Sequence, residues 1–242
     1  IILSDNGLIE AIEIQDTKKR HSIHQKLISY NVRGGAYIFT PRGTPSELSC
    51  KNPKVIRGKH YEKSYCEIVS GSKHIGSVSI TLMKNVDETE AIVINHHIDI
   101  KDQNNFEIMT RFDTELDSKY FTDKNGLGSI LRTFDSGKPT QANYYPLTVG
   151  AFLLDESEST VFRAITSQAL GSGSLETGSI EFCLDRTLSQ DDGKGLGEGV
   201  RDNQKIDIPL WLTLDSFDES KGEMIVGDLL SLKMNYPPLI AR

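Results

Sequence analysis

Apolar and polar residues alternate through much of the chain. Four windows show the pattern most clearly: residues 74–83, 90–100, 178–188 and 206–214. In the second window Ile92, Ile94, Ile98 and Ile100 share one side. Because successive side chains of a strand point to opposite faces, a period of two predicts strands with one buried face. The sequence therefore predicts a chain built mainly of β-strands.

Turn-forming residues separate these windows. Asn6-Gly7 and Asn125-Gly126 are typical of tight hairpin turns, because both residue types tolerate positive φ angles. Residues 135–139 and 171–174 have the composition of further turns or loops. Only residues 16–28 suggest a short amphipathic helical turn. Many strands joined by turns predict an all-β fold, in the form of a large antiparallel β-sandwich.

The length and charge of the chain limit the classes of protein to which it can belong. The 242 residues can bury a sizeable core, and we expect residues 1–242 to form one large β-sandwich region. The net charge of -7 and pI near 5.4 disfavour binding to nucleic acid or to an anionic membrane. No apolar run is long enough to span a bilayer. The chain opens at Ile1, inside a predicted strand, and we expect it to be part of a longer protein.

Three cysteines, Cys50, Cys66 and Cys183, allow at most one internal disulfide and leave one thiol over. No Cys-x-x-Cys spacing occurs, which disfavours a zinc knuckle or a redox motif. The pairing, including whether Cys50 and Cys66 are bonded, stays open at this point.

The spacing of several histidines is compatible with a metal site, but the strand pattern argues against one. His97 and Asp99 lie two residues apart on a predicted strand and would share a face, as zinc ligands can. That face is opposite the isoleucines, and no third ligand is close in sequence. We interpret both as solvent-facing residues, and His96 as a residue at the edge of the core. His21 and His24 would share a face only in a helix.

The segment 184–199 is the least ordinary part of the sequence. Glycines occupy alternate positions after Asp191-Asp192, but the spacing matches neither a phosphate loop nor a dinucleotide-binding motif. Adjacent carboxylates rarely converge on one bond, so an acid–base pair is disfavoured. We interpret the segment as a long surface loop, with a functional loop as the alternative. Ser167 and Ser189 lie in no nucleophile elbow.

Five segments carry a more specific pattern. They are Ser-Asp-Asn-Gly-Leu-Ile-Glu from Ser4, Gly-Ala-Tyr-Ile-Phe-Thr-Pro-Arg-Gly from Gly35, Tyr-Phe-Thr-Asp-Lys-Asn-Gly from Tyr120, Gln-Ala-Asn-Tyr-Tyr-Pro-Leu-Thr from Gln141, and Asp-Arg-Thr-Leu-Ser-Gln-Asp-Asp-Gly-Lys-Gly-Leu-Gly-Glu-Gly from Asp185. In order and spacing they resemble the C-terminal region of the glycoside hydrolase family 38 α-mannosidases, especially the Golgi α-mannosidase II branch. Together they span nearly the whole chain.

This resemblance implies a galactose mutarotase-like supersandwich that forms the C-terminal part of a retaining, zinc-dependent α-mannosidase acting on N-glycans. The catalytic residues and the zinc cofactor would belong to an N-terminal barrel of the same polypeptide, so this chain would hold no catalytic residue and no metal ligand. The β-domain would buttress that barrel and complete its mannose pocket. Tyr37, placed on a strand, and Arg186 match the family's substrate-binding positions. A tyrosine hydroxyl can hydrogen-bond a sugar, and an arginine can order a carboxylate or a carbonyl.

The sequence departs from the family pattern at three places. It has Asp-Arg-Thr at 185–187 where Asp-Arg-Arg is usual, Gly-Lys-Gly at 193–195 where Arg-Gly is usual, and Arg33-Gly34-Gly35 where Ser-Gly is usual. These changes affect loop contacts more than the fold. Both site residues have a structural alternative, with Tyr37 buried in the core and Arg186 paired with Asp185 or Asp191.

Two other functions remain open at this point. One is a free-standing carbohydrate-binding module that uses the rings of Tyr144 and Tyr145, although neighbours on a strand point opposite ways and core packing is their default. The other is a purely structural domain. The resemblance implies the secretory pathway, with the Golgi lumen as the expected compartment and the lysosome as the alternative. Whether the isolated chain binds sugar is not decided by its sequence.

Overall fold

The computed structural model describes residues 1–14, 17–83, 91–201 and 203–217, and within them strands dominate. The strands in chain order are β1 (Ile2–Leu3), β2 (Ile9–Glu13), β3 (Arg20–Arg33), β4 (Thr40–Glu47), β5 (Ser49–Arg57), β6 (Tyr61–Ser70), β7 (Lys73–Met83), β8 (Ile92–Ile98), β9 (Phe106–Thr114), β10 (Lys119–Asp123), β11 (Ser129–Arg132), β12 (Tyr144–Leu147), β13 (Gly150–Asp155), β14 (Thr160–Thr166), β15 (Leu170–Gly173), β16 (Ser179–Thr187) and β17 (Ile206–Ser216). One 3-10 turn, Thr140–Asn143, precedes β12.

The strands form two antiparallel sheets. The first has eight strands in the order β1-β2-β3-β9-β16-β15-β12, with β4 also paired to β3. The second has nine strands in the order β11-β10-β13-β14-β17-β8-β7-β6-β5. The predicted all-β, antiparallel β-sandwich is therefore confirmed. In the described part of the chain we find no helix with the length and apolar character needed to cross a bilayer.

The main core fills the space between the sheets. Leu27, Phe112 and Phe182 of the first sheet belong to the same buried cluster as Ile94 and Phe162 of the second. The predicted isoleucine face of residues 92–100 is buried as expected. Phe112 makes edge-to-face ring contacts with both Phe162 and Phe182, at centroid distances of 5.5 and 6.3 Å. Apolar burial of this extent is the main force that holds the two sheets together.

A second, smaller core lies on the outer face of the first sheet. Its buried members come from β3, β9 and the segment after β16: Ile28, Tyr30, Val32, Met109 and Leu188. Phe39, Tyr144, Cys183 and Val200 pack against it. The chain between β3 and β4 therefore folds back over the sheet, as does the chain after β16. This outer cluster fixes the loops that carry the candidate site.

Two local predictions are wrong. Residues 20–28 are part of the long strand β3 and not a helical turn, because His21, Ile23, Gln25 and Leu27 are all buried at every second position. Residues 171–173 belong to strand β15 and not to a loop. The glycines are needed there because a Cβ on Gly171 would lie 3.1 Å from the Cys183 sulfur, and one on Gly173 would lie 3.1 Å from the Tyr144 ring.

Other local predictions hold. Asn125 and Gly126 both have positive φ angles, of 52° and 72°, between β10 and β11. Cys50 and Cys66 form a disulfide that joins β5 to β6 across a Cα–Cα distance of 5.5 Å, and Cys183 is free. The sequence also favours an exposed polar loop at residues 219–222, which lie outside the described residues.

Candidate functional site

A β-bulge in β16 sets the direction of Arg186. Cys183 lies opposite Met109 of β9, but the register then shifts, and Arg186 lies opposite Glu107. Met109 belongs to the outer cluster, so its cross-strand partner Cys183 also faces outward. Strict alternation from Cys183 would point Arg186 into the core. The extra residue instead turns Arg186 to the outer face, which is how bulges re-aim side chains.

The Arg186 guanidinium joins two parts of the outer face. Its Nη2 donates a hydrogen bond of 2.9 Å to the carbonyl oxygen of Ala36, in the turn between β3 and β4. Its Nε lies 3.8 Å from Oε2 of Glu107. The structural alternative expected from the sequence pairs the guanidinium with Asp185 or Asp191, whereas the guanidinium contacts described here are with Ala36 and Glu107, and the Arg186 backbone N–H bonds to Asp185. Arg186 thus anchors the turn that carries Tyr37.

Tyr37 lies at the exposed tip of that turn. It comes directly after Ala36, whose carbonyl oxygen accepts the hydrogen bond from Arg186, and it is 62% exposed. The prediction that Tyr37 lies on a strand is wrong, since β3 ends at Arg33 and β4 begins at Thr40. Gly34 has a φ of +109° and leads the chain out of the strand into the turn. The alternative of a core tyrosine is wrong as well, and it is Phe39, itself partly buried, that packs against the outer cluster.

The glycine-rich segment predicted as a surface loop packs against the same turn. Gln190 donates from its side-chain amide to the carbonyl oxygen of Gly34 at 2.9 Å. Asp192 lies over Gly35 so closely that a Cβ there would be 2.4 Å from the Asp192 Cγ. Asn105 accepts hydrogen bonds from both the backbone and the hydroxyl of Ser189. The turn and the loop therefore form one unit, which we call the rim (residues 34–39, Arg186 and residues 188–200).

A row of charged and hydroxyl groups crosses the outer face beneath the rim. Register places Lys26 opposite Arg111, Arg111 opposite Glu181, Glu181 opposite Gly173, and Gly173 opposite Tyr144. Glu181 is fully buried, and Arg111 donates to it at 3.0 Å. The hydroxyls of Tyr144 and Tyr30 also donate to Glu181.

Burial determines the acid–base properties of this row. It raises the pKa of Glu181, while the bonds from Tyr144, Arg111 and Tyr30 act in the opposite direction. Burial and the Glu181 charge together raise the pKa of both Tyr144 and Tyr30. Bonds from Lys26 and Arg111 hold the pKa of Asp113 below its ordinary value despite burial. The tyrosines are therefore neutral donors, and the row is a fixed support for the loops above it.

A second buried carboxylate lies directly next to Arg186. Glu107 is 5% exposed and lies between Tyr30 of β3 and Arg186 of β16 in the cross-strand register. Burial raises the pKa of Glu107 to about 7, while Arg186 and a hydrogen bond with Cys183 lower it. Burial, with the charge and hydrogen bond of Glu107, raises the pKa of the Cys183 thiol. The sequence pattern did not single out Glu107, Arg111 and Glu181. All three lie on β9 or β16, at positions whose side chains point away from the main core.

The other candidates of the sequence are accounted for locally. His97 is exposed and contacts Asp207 of β17, which agrees with a solvent-facing position. His96 is fully buried and not at an edge; its Nδ1 lies 3.0 Å from the Ile208 carbonyl oxygen, and burial lowers its pKa to about 4. Among residues 1–14, 17–83, 91–201 and 203–217, no three His, Cys, Asp or Glu side chains are arranged to hold a metal ion.

The sequence also matches known proteins. Residues 1–194 match the model of the glycosyl hydrolases family 38 C-terminal domain. The chain belongs to this family of C-terminal domains. This family 38 domain is 35% identical over 217 residues to "Alpha-mannosidase 2" of Drosophila melanogaster, a match that covers 85% of the chain and 18% of the relative. It is 32% identical over 255 residues to "Alpha-mannosidase 2x" of Mus musculus, covering 97% of the chain and 22% of the relative.

The fold is similar to that of a solved structure. An alpha-mannosidase from Enterococcus faecalis V583 superposes with a TM-score of 0.70 at 10% identity, covering 90% of the family 38 domain and 28% of that chain. At this identity the likeness supports the fold alone. The domain spans about a fifth of the length of the curated relatives named here.

Proposed function

We propose that this domain completes the sugar-binding pocket of an α-mannosidase, with Tyr37 and Arg186 at the pocket wall. The observation that carries the proposal is the joining of two distant segments at one exposed rim. Arg186 bonds to the carbonyl of Ala36, and the next residue, Tyr37, extends into solvent. Both residues occupy the positions at which the sequence resembles the family's substrate-binding residues.

The rim has the chemistry to bind a polyol. The Tyr37 hydroxyl can both donate to and accept from a sugar hydroxyl. The Arg186 guanidinium has five N–H donors, and its contacts with Ala36 and Glu107 leave capacity for a further acceptor. In this proposal the rim binds and orients a mannose residue, and the bond-breaking groups belong to a barrel elsewhere in the same polypeptide. In this proposal the zinc cofactor is also held by that barrel.

A retaining glycosidase needs two carboxyl groups about 5–5.5 Å apart across the sugar. We propose that neither lies in this domain, and that the domain buttresses the barrel that carries them. The disulfide between Cys50 and Cys66 fits an oxidising compartment. We therefore place the protein in the secretory pathway, in the Golgi lumen or alternatively the lysosome, where it would trim N-glycans.

The test uses the full-length protein and a mannoside substrate. Tyr37→Phe removes one hydroxyl, and we expect kcat/KM to fall about tenfold, the equivalent of one hydrogen bond of about 1.4 kcal/mol. Arg186→Lys loses the planar fork, and we expect a fall of roughly 10–100-fold. Matched controls are Tyr61→Phe and Arg57→Lys, which lie on β6 and β5 of the second sheet. Unchanged kinetics in both rim variants, with normal thermal stability, would leave a purely structural domain.

A free-standing carbohydrate-binding module is the remaining alternative. The structure gives it little support, because Phe39 packs edge-to-face on Tyr144 and the Arg132 guanidinium lies 4.3 Å from the centre of the Tyr145 ring. Calorimetric titration of the purified chain with methyl α-mannoside tests it directly. Binding by the chain alone that is lost in Tyr144→Ala or Tyr145→Ala would favour the module over the pocket-completing domain.

A further inference from the structure

Arg186 is held from two sides, and the two contacts differ in kind. In front, Nη2 donates to the Ala36 carbonyl of the rim at 2.9 Å. Behind, Nε lies 3.8 Å from the Glu107 carboxylate, which belongs to the sheet. An arginine side chain has many rotamers, and ordering it costs conformational entropy. Contacts at two of its nitrogens restrict that freedom before any ligand arrives.

Burial of the Glu107 carboxylate costs free energy, and a purely structural role does not explain why a carboxylate occupies this position. It is 5% exposed, and its Oε2 atom has no hydrogen-bond partner. A buried carboxylate without full hydrogen bonding disfavours folding unless a cation compensates for it. Burial is the largest influence on its pKa, which lies near 7, and the Arg186 charge is the largest opposing influence. The site therefore retains a charge whose main compensating partner is the rim arginine.

The neighbours of Glu107 leave Arg186 as its only close cation among the described residues that influence it. Asp185 of β16 raises the Glu107 pKa, and the Cys183 thiol on the same strand hydrogen-bonds to the carboxylate. Tyr30, opposite on β3, directs its hydroxyl to Glu181. The bulge in β16 brings Arg186 to the position directly across from Glu107. Without that register shift, the two groups would lie on opposite faces.

We propose that Glu107 is a positioning residue, whose buried carboxylate fixes the Arg186 guanidinium in the orientation that recognises the sugar. The proposal rests on the proposed function of Arg186 and adds a residue that contacts no ligand itself. Glu107 acts only in its ionised form, so its effect depends on pH. Above about pH 7 the ion pair is present, and in acid the neutral carboxyl leaves Arg186 with the Ala36 contact alone.

The experiment is a double-mutant cycle in the full-length protein with Glu107→Gln, Arg186→Ala and the two combined. We expect Glu107→Gln to lower kcat/KM about five- to tenfold at pH 8 when Arg186 is present, and to have no effect on the Arg186→Ala background. The ratio of wild-type to Glu107→Gln kcat/KM should approach one near pH 5, because protonated Glu107 is as neutral as glutamine. A purely structural role would not give a ratio that follows this titration.

The matched control is Glu62→Gln. Glu62 is also a buried glutamate that accepts from an arginine, Arg57, at 2.8 Å, but it lies on β6 of the second sheet. Additive effects of the Glu107 and Arg186 changes, or an unchanged kcat/KM in Glu107→Gln, would overturn the inference while leaving the proposed function intact. If Arg186→Ala itself leaves kcat/KM unchanged, the proposed function fails and this inference fails with it.

Discussion

The two faces of the first sheet exclude water in different ways. The inner face presents Leu27, Phe112 and Phe182 to the second sheet. The outer face presents Glu181 and Glu107 beneath the rim, both buried among ion pairs and hydroxyls. Burial of apolar surface is favourable by itself, whereas burial of charge is favourable only with well-placed partners. The inner face therefore stabilises the fold, and the outer face determines where individual side chains lie.

The contrast teaches that stability and site geometry are carried by different sets of residues on the same strands. β9 contributes Phe112 to the inner core and Arg111 to the outer row, although the two residues are adjacent in sequence. A change on the inner face should thus alter the free energy of unfolding at every pH. A change on the outer face should have an effect that depends on the ionisation of the buried carboxylates.

The largest expected effect is that of Phe112→Ala. Phe112 is fully buried between two other phenylalanines, and its loss leaves a cavity at the centre of the sandwich. We expect the free energy of unfolding to fall by about 3–5 kcal/mol, with little dependence on pH. Urea unfolding followed by the fluorescence of Trp211, the single tryptophan, measures it.

The control for this change is Phe134→Ala, since Phe134 is 47% exposed and should change the free energy of unfolding by under about 0.5 kcal/mol. A loss below about 1 kcal/mol in Phe112→Ala would show that the inner face is not the main source of stability.

An intermediate effect is expected for Arg111→Met, which removes from the outer row the cation that pairs with Glu181. Glu181 then stays fully buried, and among the described side chains the hydroxyls of Tyr30 and Tyr144 remain as its donors. We expect a loss of about 3 kcal/mol at pH 8, because removing one partner of a buried ion pair leaves an uncompensated charge.

The pH dependence distinguishes this loss from a packing defect. Burial already raises the Glu181 pKa, and without Arg111 it should rise further. Over the range between its ordinary and its raised pKa, the folded state then binds a proton that the unfolded state has lost, so stability falls as pH rises. The loss should therefore shrink in acid. The double variant with Glu181→Gln should recover part of it at pH 8, and a loss equal at pH 5 and pH 8 would contradict the ionic interpretation.

The sequence predicted the inner face better than the outer one. Period two identified the strands at 92–100 and 206–214, because all of their buried residues except His96 are apolar. β3 was missed over residues 20–28 because two of its buried positions are His21 and Gln25, and a polar residue at a core position disrupts the pattern. Gln25 is tolerated there, since its amide oxygen lies 3.4 Å from the backbone nitrogen of Ile9.

The rim was predicted in its residues but not in its geometry. Tyr37-Ile38-Phe39 has the composition of a strand, yet Gly34 at positive φ ends β3 before it. The bulge in β16 leaves no local signature, because its extra residue, Leu184, is apolar like its neighbours on the core face. A bulge depends on pairing with a distant strand, so period alone cannot place Arg186 opposite Glu107.

The smallest expected effect has the opposite sign. Glu107→Gln should raise the free energy of unfolding at pH 8 by on the order of 2 kcal/mol, since glutamine fills the site without the cost of a buried charge. The pKa of Glu107 rises from its ordinary 4.5 to about 7 on folding. Between these values the folded wild type keeps a proton that the unfolded chain has lost, so its stability falls as pH rises through this window and stays low above it.

The Glu107→Gln variant has no ionisable group at this position. The free energies of unfolding of the two proteins should therefore be equal near pH 5 and differ increasingly toward pH 8. Thermal unfolding of the purified chain at both pH values measures this. Glu62→Gln, which removes a carboxylate well bonded to Arg57, should give no gain at pH 8. A loss of stability in Glu107→Gln at pH 8 would mean that the ion pair with Arg186 stabilises the fold by more than the burial of the charge destabilises it. Glu107 would then stabilise the fold, as the residues of the inner face do. A gain in stability together with lower kcat/KM is the combination expected of a residue that serves the site at the expense of the fold.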